Sequence, residues 1–82
     1  MGVKLNIKET GTILAFVSLI DNRQVSDEAI MAWHELLKDL EFEDARQAVT
    51  NHFKDSNEYL RPVHIIQGAK RVKMERKKTI YE

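Results

Sequence analysis

Three histidines, a cluster of carboxylates and one cationic segment are the side chains of this 82-residue chain that could do chemistry. His34 and His52 fall at apolar helical positions beside Trp33 and Phe53, where a histidine usually serves the core. The third, His64, follows Pro62. No H-x-x-x-H or H-E-x-x-H spacing occurs, so no two imidazoles are set for one metal ion on one helix face. Glu41, Glu43 and Asp44 stand at a helix start, where carboxylates complement the helix dipole. The segment 70–78 is different. It carries Lys70, Arg71, Lys73, Arg76, Lys77 and Lys78 against Glu75 alone. Six like charges so close repel one another, which favours an acidic partner as their reason for being there.

The rest of the composition narrows the chemistry further. The chain has no cysteine, so disulfides, thiolate nucleophiles and cysteine zinc sites are excluded. There is no G-x-x-x-x-G-K-[ST] loop, no nucleophile elbow and no Glu-x-x-His pair of a di-metal bundle. The expected protein is therefore not an enzyme, and no cofactor or metal is expected. Formal charge is zero, yet residues 1–60 carry six Lys/Arg against eleven Asp/Glu and residues 61–82 carry seven against two. Such a dipolar chain can attract two kinds of partner or associate with itself. The longest apolar run, Ile13 to Ile20, is interrupted by Ser18 and far short of the roughly 20 residues that span a bilayer. No membrane partner is expected. Met1-Gly2 is followed by Asn6 where a myristoylation motif wants Ser or Thr.

Four segments must position these groups, and all four show helical spacing. Asn6, with Glu9 three residues on, predicts a capping box at the start of a helix over 7–20. Ser26 predicts the cap of a second helix over 27–39, with Val25 and Ile30 as a hydrophobic staple. A third is expected over 43–54, with Ala45 and Ala48 allowing close approach of a neighbour. A fourth opens at Pro62, a residue suited to the first helical position, and runs to about 75. Gly68 within it marks a close helix contact or a weak point. The expected core holds Ile13, Phe16, Val17, Ile20, Ile30, Trp33, Leu37, Val49, Phe53, Ile65 and Ile66, with Trp33 as its main anchor. The fold class is thus all-α: a single small four-helix domain over 7–72, an N-terminal arm over 1–6, and a basic tail over 73–82 that frays from the fourth helix. Because the apolar stripe ends at Val72, the basic residues are expected to bind a partner and to contribute little to folding.

A resemblance sharpens the functional expectation. The stretch from Leu14 to Ile66 reads Val25-Ser26-Asp27-Glu28, Trp33-His34-Glu35-Leu36-Leu37-Lys38-Asp39, Phe42, Ala45, Ala48-Val49, His52-Phe53, Pro62 and Ile65-Ile66. In this it resembles the small bacteriophage helicase loader-and-inhibitor proteins. The resemblance implies a compact helical N-terminal part and a C-terminal segment that contacts a hexameric replicative helicase. It implies a protein of the bacterial host cytoplasm that acts in DNA replication through protein–protein contacts. Carried onto this chain, the helical domain is roughly 7–70 and the contact segment roughly 70–82, which holds the basic residues Lys70, Arg71, Lys73, Arg76, Lys77 and Lys78. The strongly basic character of this segment departs from the family. The alternative is a small DNA-binding regulator that uses the basic fourth helix. With Tyr81 the only aromatic nearby, stacking on single-stranded bases is not expected.

Overall fold

The computed structural model describes residues 4–80, with side chains as far as Arg76. The fold is all-α. Four helices follow in order: α1 (Ile7–Asp21), α2 (Asp27–Leu37), α3 (Phe42–Asp55) and α4 (Pro62–Ile80). Among the described residues the only β-type pairing is one isolated antiparallel bridge between Lys4 and Glu41. The chain divides into two compact units, residues 1–42 and 43–82, each built on one helix pair.

In the first unit the local signals in the sequence set the helix ends. Asn6 accepts the Glu9 amide at 2.7 Å, and the Glu9 carboxylate accepts the Asn6 amide in return. This capping box satisfies two of the amides that a helix start leaves unpaired. Asn22 closes α1 in the left-handed region at φ 62°, its amide bonded to the Ser18 carbonyl. Asparagine tolerates that conformation better than most residues with a Cβ. Ser26 caps α2 by accepting from the Ala29 amide. Leu5, Ile13, Leu14, Val17 and Leu37 are buried, together with Thr10. The Thr10 hydroxyl is satisfied by the Asn6 carbonyl at 2.9 Å.

Several expected core positions of this unit turn out otherwise. Phe16 and Ile20 are 43 % and 49 % exposed. Ile30 and Trp33 are only partly buried. Trp33 is not the central anchor; the Arg23 guanidinium lies over its ring, 5.6 Å from the centroid. The stripe Ile13-Phe16-Val17-Ile20 straddles two faces of α1, and the buried face is Thr10-Ile13-Leu14-Val17 instead. The N-terminal arm is tied down as far as it is described. The Leu5 amide donates to the Leu40 carbonyl at 2.8 Å. His34 Nε2 donates to the Leu5 carbonyl at 3.2 Å, so this histidine is a structural strap.

Arg23 also clamps Asp21, with Nε 2.9 Å from Oδ2, and both side chains are largely buried. The Arg23 hydrogen bonds hold the Asp21 carboxyl below the usual carboxylate range, and burial offsets part of that effect. A depressed folded value contributes stability above the unfolded value, near pH 4, and loses it as the pH falls through the folded one. The stability advantage of the wild type over Asp21→Asn should therefore be largest near neutrality and shrink below about pH 4. Urea titrations of both proteins across that range measure it, and a difference that ignores pH would refute the assignment.

In the second unit Ala45, Ala48, Val49, Leu60, Ile65 and Ala69 are buried. Phe53 and Ile66, expected in the core, are partly exposed. A Cβ placed on Gly68 would stand 2.8 Å from the Ala48 Cβ, closer than real Cβ contacts come. Gly68 therefore marks the close helix contact, between α3 and α4. Pro62 is the first residue of α4, as its missing N–H favours. The Arg61 amide before it donates to His64 Nδ1 at 2.9 Å. The basic end of α4 departs from expectation: the helix continues through Ile80, five residues beyond its expected end. Residues 81–82 of the expected tail and 1–3 of the expected arm lie outside the described residues.

Candidate functional site

The cations that the sequence singles out fall on one helix but not in one role. Lys70, Arg71 and Lys73 are exposed. Among the described residues none of the three side chains makes a hydrogen bond or ion pair. Arg76 is different. Its Nη1 lies 2.7 Å from Asp44 Oδ1, and the Asp44 side chain is 4 % exposed. Asp44, which reads in the sequence as a dipole-complementing surface carboxylate, is a buried group neutralised by a residue 32 positions away. Arg76 thus holds a buried group of the fold, contrary to the expectation that the basic residues contribute little to folding. The side chains of Lys77 and Lys78 lie outside the described residues.

With 3.6 residues per turn, Val63, Gln67, Lys70 and Met74 recur at i, i+4, i+7 and i+11 and share one stripe of α4. All four are exposed, Val63 by 48 % and Met74 by 69 %. Arg71 and Lys73 flank the stripe on either side. The inward face carries Ile65 and Ala69, both buried, so this stripe points to solvent. The result is a cationic helix face with large apolar side chains set among the charges. Val63 and Met74 were not singled out in the sequence. Their signal was the same spacing argument applied to the side of the helix away from its buried stripe.

Beside this face, a cleft of about 210 Å³ is bounded by His52, Asp55, Ser56, His64, Gln67 and Arg71, among others. The two imidazoles stack at 4.6 Å between centroids and 28° between planes. His52 Nε2 donates to the Glu58 carbonyl at 2.7 Å. His64 accepts the Arg61 amide on Nδ1, which places its proton on Nε2, 3.4 Å from Glu58 Oε1. The Ser56 hydroxyl accepts the Glu58 amide. Serine, histidine and aspartate thus meet in one cleft, an arrangement that the sequence did not suggest. Neither ring is bonded to the serine, and both are committed to the loop that joins α3 to α4. Their geometry orders that loop and the start of α4. No group of three or more His, Asp or Glu among the described residues is arranged to hold a metal ion.

Comparison with known proteins finds no matching family model, no similar curated protein and no similar solved structure. No helix of the described residues is long and apolar enough to cross a membrane.

Proposed function

We propose that this chain is a non-enzymatic adaptor of bacteriophage DNA replication that docks on the replicative helicase of the host cell, as a loader or an inhibitor. The observation that carries a protein partner is the presence of Val63 and Met74 on the outward stripe of α4 with Lys70. Apolar side chains gain by leaving water against another protein, at about 25 cal/mol per Å² buried. A phosphate backbone offers them nothing. The free cations Lys70, Arg71 and Lys73 would steer an acidic surface into place, and Lys77 and Lys78 would add to that charge. The choice of the helicase rests on the resemblance of residues 14–66 to the loader-and-inhibitor proteins.

The second reading, a DNA-binding regulator, is favoured by the same unpaired cations. Salt separates the two. Duplex binding through Lys70, Arg71, Lys73, Lys77 and Lys78 would give a log–log salt slope of about −4 to −5. The purified chain, labelled and titrated with nuclease-treated hexameric helicase, should form a complex with a much shallower slope. Met74→Asp should weaken that complex by about tenfold or more, because it puts a carboxylate in the apolar contact. Equal affinity of Met74→Asp and wild type, or steep salt-dependent binding to duplex DNA with no helicase complex, would overturn the proposal.

A further inference from the structure

The connection from α3 to α4 is closed by an imidazole. In a capping box, a Glu or Gln at the third helical position accepts the amide of the residue before the helix. His64 holds that place in α4: it is the third residue from Pro62, and its Nδ1 accepts the Arg61 amide at 2.9 Å. Glutamine offers its acceptor at every pH. An imidazole offers one only while neutral, because the imidazolium carries a proton on each nitrogen. The His64 side chain is 23 % exposed, and its ring stacks on His52. Among the described residues, the titratable or charged side chains that face it are His52 and Asp55 of α3, Glu58 of the loop and Arg71 of α4.

We infer that His64 is a proton-operated cap. Neutral, it holds residues 56–61 to the first turn of α4; protonated on Nδ1, it lets go of the Arg61 amide, and this segment loosens in mild acid. Three effects work in that direction. The Nδ1 proton faces the Arg61 N–H, a donor against a donor. The new charge sits in the first turn of α4, at the positive end of the helix dipole. His52 can gain its own proton on Nδ1 and still donate to the Glu58 carbonyl through Nε2. That sets a second imidazolium 4.6 Å away between centroids, with Arg71 on the same cleft. The carboxylates oppose this weakly. The Nε2 proton that meets Glu58 is present in both states of His64, and the Glu58 side chain is 76 % exposed, so water screens the added attraction. Asp55 is exposed as well. Leu60, wholly buried, lies in the segment that would loosen. Val63, the neighbour of His64, belongs to the outward stripe of α4, so mild acid would also unsettle one end of that face. This last consequence rests on the proposed docking; the cap does not.

NMR on the isotope-labelled full chain, with no partner present, tests it between about pH 8 and about pH 5, the range in which imidazoles titrate. At the alkaline end the His64 ring nitrogens should report the Nε2–H tautomer. Protection of the Arg61 amide, corrected for the intrinsic pH dependence of exchange, should fall about fivefold towards the acid end, about the worth of one hydrogen bond. His64→Gln keeps an acceptor and has no proton to gain, so its Arg61 protection should stay level across the range. His64→Leu should lack that protection at both ends. Wild-type protection at Arg61 that does not change with pH overturns the inference, as does the same fall in His64→Gln. So does an Nδ1–H tautomer of His64 at the alkaline end. Loss of protection at all backbone amides together would be acid unfolding of the whole chain, and that too overturns it.

Discussion

Gly68→Leu should destabilise the protein by about 3 kcal/mol or more, the upper end of what overpacking costs. Even a single added carbon would stand 2.8 Å from the Ala48 Cβ, and that atom is fixed to the α3 backbone and cannot swing aside. Leucine adds three more carbons in the same gap, so α3 and α4 must move apart, and the contacts of buried Ala48 and Ala69 loosen with them. A domain of this size holds about 4–12 kcal/mol in all, so the loss is a large fraction of the whole. Gly68→Ala is the informative companion. Alanine gains about 1 kcal/mol of helix propensity over glycine, which offsets part of the clash. It should therefore be destabilising, but by clearly less than leucine. Denaturant midpoints of the three proteins decide the matter. If Gly68→Ala were more stable than wild type, the glycine would be a tolerated weak point and not a contact residue.

Arg76→Met should cost about 3 kcal/mol, while Lys70→Met, Arg71→Met and Lys73→Met should each stay within about 0.5 kcal/mol. The contrast follows from where the charges end. Lys70, Arg71 and Lys73 lie in water without partners among the described residues, so removing them relieves repulsion. Arg76 neutralises Asp44, whose side chain is almost wholly buried. Taking the guanidinium away leaves a carboxylate with no solvent and no cation, the costly half of a broken buried pair. The figure sits at the low end of the range for such pairs because half of the Arg76 side chain is in water. Replacing both partners, Asp44→Leu with Arg76→Met, should restore much of the loss, since apolar groups of similar size can substitute for a buried ion pair. Thermal melts of the single and double variants give the coupling directly. A single Arg76→Met variant as stable as wild type would show that Asp44 finds water or another donor.

The two cases show which parts of this molecule its sequence makes legible. Helix starts are local events. Asn6 with Glu9, Ser26, and Pro62 each act within four residues, and α1, α2 and α4 begin where those residues say. Burial is not local. A helical stripe shows that one face is apolar, but Phe16 and Val17 are neighbours in such a stripe and only Val17 is inside. Leu5 and Leu60 sit outside any helix, so no periodicity marks them, and contacts distant in sequence or loop closure decide their burial. Asp44 carries every mark of a first-turn surface carboxylate, and only the path of α4 shows that Arg76 reaches it. The candidate site divides in the same way. The exposure of Lys70, Arg71 and Lys73 follows from composition. The addition of Val63 and Met74, and the ion pair that ties Arg76 to Asp44, depend on which side of α4 faces inward.

The tether at the N-terminal arm has a kinetic side. Leu5 joins Leu40, and Lys4 reaches the Asp39 carbonyl, across a separation of 35 residues. Closing a loop of that length costs about 3 kcal/mol of chain entropy, and one strand-like bridge returns little of it. Helices form within about a microsecond, long before such a closure is favourable. The strap through Leu5 and His34 is therefore expected to form late, and a His34→Ala variant that folds at the wild-type rate but unfolds faster would bear this out. Interactions absent from the folding barrier leave the folding rate alone and lengthen the life of the folded state. On that expectation Lys4, Leu5, His34, Asp39 and Leu40 act as a latch on how long the unit stays closed, not on how fast it closes.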